Sequence, residues 1–241
     1  MSLKNDILRR LEDCRGEYVS GEELSESANV TRQAVWKAVK KLCDEGYIIH
    51  SVTNKGYMLD GKCDLLSSSV ISAKTGARVY CCDAVTSTNS VARLKLCGEG
   101  ECVVAAESQT MGRKKDGNRF ISPDKKGVYM SVAMRLERSM SEAESLRAIC
   151  AETVAKCIER SCGISPEIRN VDELFSDGKK VCGILIEAEV NLATSMIYGA
   201  VIGIGIYTSD VGGALGYVSS AEPRNALVAD IYTSLKAALQ G

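Results

Sequence analysis

The sequence predicts an α+β protein in two parts, a small helical head closed by a hairpin and a larger mixed sheet flanked by helices. Three observations carry this. Helical periodicity in the first sixty residues gives way to a short β-rich hairpin. A polar, serine-rich stretch, Asp60 to Ser69, then marks a joint. Beyond it, strand-length apolar runs alternate irregularly with helical segments, as in a mixed sheet rather than a doubly wound one. The expected parts are residues 1–62 and 70–241.

The head reads in order. Ile7, Leu8 and Leu11 give the apolar side of a first helix from Asn5 to Leu11. Ser20 followed by Glu23 has the spacing of a capping box and opens a second helix carrying Leu24 and Ala28. Thr31 can cap a third, Arg32 to Glu45, whose apolar side is expected to be Val35, Trp36, Val39 and Leu42. Gly46 stops it. Tyr47 to Val52 and Tyr57 to Leu59 are strand-like, and Asn54 and Gly56 between them favour a tight turn. Three helices and a hairpin in this order form a winged helix-turn-helix.

Charge supports a DNA-binding reading of that head. Arg32 and Gln33 lie at the N-terminal end of the third helix, the part a recognition helix offers to base edges. Lys37, Lys40 and Lys41 would meet phosphates, as would Lys55 on the wing tip. The plainer alternatives are a solvated basic face or a module for protein contacts.

In the larger part, Ala77 to Cys82 is β-like, and Thr86 to Asn89 precedes a helix bearing Val91, Ala92, Leu94 and Leu96. Val103 to Ala106 and Val128 to Leu136 read as strands, Ser141 to Cys157 as an amphipathic helix, and Glu167 to Asn170 as a further short strand. Val181 to Glu189 and Ile197 to Ile206 form an antiparallel pair, and Arg224 to Leu239 a last helix. Gly203-Ile204-Gly205 lacks the third glycine of a dinucleotide fingerprint and opens no helix.

Bulk properties exclude several classes. The formal net charge of −1 gives no global field for nucleic acid, so any such site is a local patch. The eleven cysteines are odd in number and contain no CxxC pair, which argues against disulfides and zinc. Cys43, Cys150, Cys157 and Cys182 fall at apolar positions, where a thiol acts as a small hydrophobe. No apolar leader opens the chain and no run reaches the roughly 18 apolar residues of a membrane span. A cytoplasmic protein with no membrane partner and no metal ligand set is expected.

The stretch from Glu107 to Met134 carries the chemistry. Gly112 and Gly117 allow close approach of backbone, while Arg113, Lys114, Lys115 and Arg119 supply charge. Such a loop can close over an anion; it can also be solvated surface.

The order of pieces settles more. A winged helix-turn-helix followed by TSTN (86–89), QT-x-GR (109–113), SP (122–123), GVYMS (127–131), GKKVCGILIE (178–187) and GIGI (203–206) resembles the biotin protein ligases. It is most similar to the two-domain kind that also represses biotin genes. The resemblance covers essentially the whole chain and implies a class II synthetase-like ligase domain after the head. It implies that Ser87, Thr88, Asn89 and Gln109 hold the biotin ring system, with Gly112 and Arg113 beside them. Lys180 would meet the activated carboxyl group, with Arg113 and Lys115 as the other catalytic cations. Gly183, Gly203 and Gly205 would line the slot. Taken alone, Ser87 and Thr88 read as helix caps and Lys180 as a solvated turn lysine.

Departures cluster on the nucleotide side. The family loop reads close to GRGRRGR, an aromatic and SP; here it reads GRKKDGNRFISP. Lys114 replaces a glycine, Lys115 an arginine and Asn118 another arginine, Asp116 adds negative charge near phosphate, and Phe120 keeps the aromatic. Lys115 gives up the planar bidentate contact an arginine makes. The KWPND signature becomes Arg169-Asn170-Val171-Asp172-Glu173, and Tyr207 stands where GIGIN has asparagine. The nucleotide-side residues by resemblance are thus Phe120, Asp172, Glu173 and Tyr207. After the last helix the sequence reaches Gly241, and the expectation is a chain lacking the family's small C-terminal β-domain.

The expectation is a regulator that binds operator DNA and biotin, or a related small acid, as a homodimer, with weak or lost ligase activity. One alternative is an active ligase using ATP and Mg2+ to load a biotin carboxyl carrier domain. Another is a sensor or transferase for lipoyl or octanoyl groups.

Overall fold

The computed structural model describes residues 2–220 and 223–240; Gly241, the expected chain end, lies outside them. The head contains α1 (Leu3–Asp13), α2 (Gly21–Ser27) and α3 (Arg32–Asp44), then an antiparallel pair, β1 (Ile49–Val52) and β2 (Gly56–Leu59). Ser20 accepts from the Glu23 amide at 3.0 Å and Thr31 from the Ala34 amide at 3.2 Å, as their positions predict. The capping box is only half formed, because the Glu23 carboxylate turns to Arg10. Ile7, Leu8, Leu11, Leu24, Val35, Val39, Leu42 and Leu59 close one core.

Two expectations fail here. Trp36 is 51% exposed and does not enter the core. The buried stripe of α3 is Val35, Ala38, Val39 and Leu42, and position 36 lies roughly 100° around the helix from Val35. Cys43 is exposed for the same reason, one residue past Leu42. Cys150, Cys157 and Cys182 are buried as expected, and burial pushes their thiols up to about 12, 11 and 12.

The larger part runs α4 (Ser68–Thr75), β3 (Val79–Val85), α5 (Thr88–Glu99), β4 (Cys102–Gln109), β5 (Gly127–Ser139), α6 (Ala143–Cys162), β6 (Glu167–Arg169), β7 (Glu173–Ser176), β8 (Lys179–Asn191), β9 (Met196–Tyr207) and α7 (Arg224–Gln240). Seven strands form one sheet in the order β3-β4-β5-β9-β8-β7-β6. Only β3 and β4 are parallel, joined through α5; every other pair is antiparallel, so the sheet is mixed as expected. Helix α4 and strand β7 were not legible beforehand.

Strand alternation sorts the sheet's faces. Val128, Met130 and Val132 of β5 join the main core with residues of α6 and α7. Tyr129, Ser131 and Ala133 point the other way, where the body of α5 packs around Ala133 and its first residues, Thr88 and Asn89, reach Ser131. The sheet beyond the N-terminus of α5 is therefore left for the site.

The joint between the two parts is held by side chains. Leu66 donates its amide to Glu107 at 2.9 Å, and Ser67 its amide to Asn225 at 2.9 Å. Asn225 donates to the Leu65 carbonyl at 2.9 Å. Arg224 binds Asp64 through its amide and its guanidinium, while Arg15 reaches the Asp60 carbonyl at 3.2 Å. The polar composition that marks the joint supplies its anchoring groups.

Candidate functional site

Glycine makes the floor. Gly183 in β8 pairs with Gly205 in β9, and Leu185 with Gly203. The Phe120 ring lies on this floor: a Cβ at Gly205 would come within 2.3 Å of it, and one at Gly183 within 2.9 Å. A Cβ at Gly203 would come within 2.2 Å of Asn89 Oδ1. These glycines are where they are because ring and amide occupy the space of a side chain.

Above the floor opens a cavity of about 480 Å3. Ser87, Thr88 and Asn89, the start of α5, line one end with Gln109; Arg113, Lys115 and Lys180 line the other, with Asp172 and Glu173. Phe120, Gly183, Gly203 and Gly205 complete the expected set. Gly112 is not among the lining residues: it packs against Gln109 and Ser122 at the loop's base. Tyr207 does not line the cavity either, being 2% exposed beneath Phe120.

The closed end is a buried polar network. Gln109 Oε1 accepts from the Thr88 amide at 2.9 Å and its hydroxyl at 3.1 Å, and Gln109 Nε2 donates to Ser122 at 2.9 Å. Ser131, fully buried, stands 2.6 Å from Asn89 Oδ1 and 2.7 Å from Thr88 Oγ1. Asn89 Nδ2 donates to Glu187 at 2.8 Å, and Arg93 pairs with Glu187 at 2.9 Å. Asn89 is thus committed to the scaffold on both sides. Ser87 and Arg113 are different: among the described residues, neither side chain has a hydrogen-bond or ion partner, though both line the cavity. One N–H of the Gln109 amide is likewise unspent.

The open end is self-paired. Lys180 bonds Glu173 and holds its carboxyl below the usual range, against the opposing effect of burial. Lys115 meets Asp172 at 3.7 Å. Asn118 donates to Asp116 through its amide at 2.9 Å and its side chain at 2.8 Å, across Gly117 at φ +80°. Asp116 and Asn118 therefore satisfy each other in a tight turn. Phe120 stacks on Tyr207 with centroids 5.5 Å apart and planes 3° from parallel. The Tyr207 hydroxyl donates to the Ile121 carbonyl at 3.0 Å, and burial pushes its pKa up.

Sequence reasoning missed Ser122, Ser131 and Glu187. Ser131 had a signal, a lone hydroxyl inside an apolar strand, since a buried polar group requires partners.

On the head, Gln33, Lys37, Lys40, Lys41 and Lys55 are exposed. Arg32 is exposed too, but its guanidinium pairs with Glu22 at 3.0 Å. Lys40 lies 5.6 Å from the Trp36 ring centre, and Lys55 5.8 Å from that of Tyr18.

The two parts define a helix-turn-helix domain joined to a ligase-type α+β domain. An HTH domain model matches residues 4–58, and the model of the biotin/lipoate A/B protein ligase family matches residues 81–206, just over half of the chain. The chain belongs to the biotin/lipoate A/B protein ligase family.

Among curated proteins it is similar to the bifunctional ligase/repressor BirA of Bacillus subtilis, 32% identical over 214 residues. That match covers 85% of this chain and 65% of the relative, so the chain spans about two thirds of that protein's length. The bifunctional ligase/repressor BirA of Escherichia coli is 27% identical over 238 residues, covering 93% and 73%. Among solved structures, the biotin protein ligase of Leishmania major in complex with biotin matches with a TM-score of 0.55 at 21% identity, over 65% of this chain and 72% of that one. The Aquifex aeolicus biotin protein ligase in complex with biotin and ATP matches with a TM-score of 0.53 at 18% identity, over 67% and 70%. Among the described residues no helix is long and apolar enough to cross a membrane.

Proposed function

We propose that this protein is a DNA-binding regulator built on the ligase scaffold, tuned by biotin or a related small acid, with weak or lost ligase activity. One observation carries the reading. At the closed end of the cavity, polar groups remain available to a ligand. At the open end, Arg113 apart, the cations Lys115 and Lys180 are paired with Asp172 and Glu173.

A neutral ureido ring needs a few fixed donors and acceptors in an otherwise apolar slot. Ser87, the unspent N–H of Gln109 and the rigid Thr88–Ser131 network offer these, and unpaired Arg113 can take a carboxylate. Biotin therefore fits. ATP with Mg2+ fits less well. Asp172 and Glu173 each already hold a lysine, Asp116 and Asn118 hold each other, and Phe120 and Tyr207 stack shut.

Residues 1–62 would bind operator DNA and residues 70–241 the effector. The protein would act as a homodimer on a two-fold-symmetric operator, in the cytoplasm. The similarity to bifunctional ligase/repressors supports pairing these roles in one chain.

Calorimetry with biotin, lipoate and octanoate tests the effector; heat from biotin alone is expected. A response to lipoate or octanoate without one to biotin would replace the effector by that acid. Incubation with biotin, ATP, Mg2+ and a biotin carboxyl carrier domain tests the chemistry, and transfer at ordinary turnover would overturn the loss of activity.

An active ligase is the second reading, favoured by Arg113, Lys115 and Lys180 converging on one cavity. In it, Lys180 and Arg113 would stabilise charge developing at the acid's carboxyl group. Lys180 would first have to leave Glu173.

A further inference from the structure

The recognition helix carries an aromatic side chain that the fold does not use. Trp36 is half exposed, although α3 has a complete buried stripe of its own in Val35, Ala38, Val39 and Leu42. Its neighbours on the outward side are Gln33, Lys37 and Lys40, spaced i, i+3, i+4 and i+7. This stripe spans roughly 10 Å along the axis, within the about 12 Å width of a DNA major groove. Lys40 lies over the indole, which holds the ring against the helix and brings a cation beside it. Acidic residues are missing from α3 until Asp44.

We infer that Trp36 reads thymine in the operator, its indole packing on the C5-methyl group in the major groove. This rests on the DNA-binding part of the function proposed above and adds the base it selects.

The chemistry of the groove points to that base. The C5-methyl of thymine is the apolar feature of the major-groove edge, while the other groups there are hydrogen-bond donors and acceptors. Trp36 is the only large apolar side chain among the four of the stripe. Gln33, one turn nearer the helix N-terminus, has the two-pronged amide that matches adenine. Lys37 and Lys40 flank both and complement phosphate. A protein partner for an exposed tryptophan would not call for a surround of lysines with no facing carboxylate on the same helix. A DNA duplex calls for that charge.

The test uses the full chain with biotin present. Duplexes are selected from a random-sequence pool by the wild-type protein, and the winner is remade with uracil in place of thymine, which removes only the methyl groups. Affinities are read by fluorescence anisotropy for wild type, Trp36→Ala, Trp36→Phe and Lys37→Ala. The wild type should bind the uracil duplex about four-fold more weakly per methyl lost, the weight of one buried methyl group. Trp36→Ala should bind the thymine duplex more weakly by a similar factor and lose its sensitivity to uracil, while Trp36→Phe keeps much of it. Lys37→Ala should keep the methyl sensitivity and show a shallower salt dependence.

Enrichment of a duplex that the wild type binds equally with thymine or uracil would overturn the inference and leave DNA binding standing. So would a Trp36→Ala variant as sensitive to uracil as wild type. A variant whose sedimentation changes while its DNA affinity does not would mark this face as a protein contact. Failure to enrich any duplex would overturn both the inference and the regulator reading.

Discussion

Arg224 at the start of α7 and Glu107 in β4 form a buried ion pair at 2.7 Å, with side chains 4% and 6% exposed. The same guanidinium bonds the Gly127 carbonyl at 2.9 Å and Asp64 at 3.0 Å, while Glu107 accepts the Leu66 amide. One arginine thus joins the last helix, the first strand of the loop region and the segment leading from the head. Arg224→Met should destabilise the protein by about 3–5 kcal/mol, because Glu107 stays behind as an unpaired buried charge. Urea unfolding measures this. Glu107→Gln combined with Arg224→Met should recover part of the loss.

Gly205→Ala should cost ligand binding more than folding. The new methyl would meet the Phe120 ring, which must leave the floor and enter the cavity. A loss of at least ten-fold in biotin affinity is expected, about 1.4 kcal/mol. Titration calorimetry beside a thermal melt separates the two effects.

Ser131→Ala strips the buried network of its central hydroxyl. Asn89 Oδ1 only accepts and the Thr88 hydroxyl donates to Gln109, so the single Ser131 proton is shared between Asn89 Oδ1 and Thr88 Oγ1. Without that proton the Asn89 carbonyl is stranded, at a cost of about 1–3 kcal/mol. Both stability and biotin affinity should fall.

Acid should weaken the Lys180–Glu173 pair. Glu173 lies below its ordinary value in the folded protein, so its contribution to stability is complete at neutral pH. That contribution is lost as pH falls through the folded-state value. Below about pH 4.5, the ordinary glutamate value, the stability of Glu173→Gln should therefore decline less steeply than that of wild type. The same variant frees Lys180 and should tighten binding of a carboxylate ligand at pH 7.

Asp116→Arg with Asn118→Arg dismantles the self-satisfied turn and restores the charges of the family loop. Adenylate formation, followed by pyrophosphate release, should rise from the wild-type level. No change would place the defect elsewhere, at Asp172, Glu173 or Tyr207.

The sequence made much of this legible, and the limits are physical. Period-two alternation from Val128 to Leu136 placed β5 and the sheet, and Ser20 and Thr31 placed two helix starts. The family motifs named many of the residues that line the cavity, though Gly112 and Tyr207 lie outside it. What stayed hidden depends on distant partners. Nothing local in Glu173 to Ser176 shows β7, whose three- to four-residue pairings with β6 and β8 decide it. Trp36 was assigned inward by its hydrophobicity, although its angle on the helix points out. Asp64 and Arg224 are 160 residues apart, so no window of sequence contains their bond.

That bond and its companions have a geometric outcome for gene control. With the stretch from Asp64 to Ser67 pinned at its amides, carbonyls and one carboxylate, the wing cannot roam on a tether. In the two-copy assembly proposed above, the span between the wings would be a ruler cut by the pairing of the larger parts, and the separation of the operator's arms would be its fixed mark.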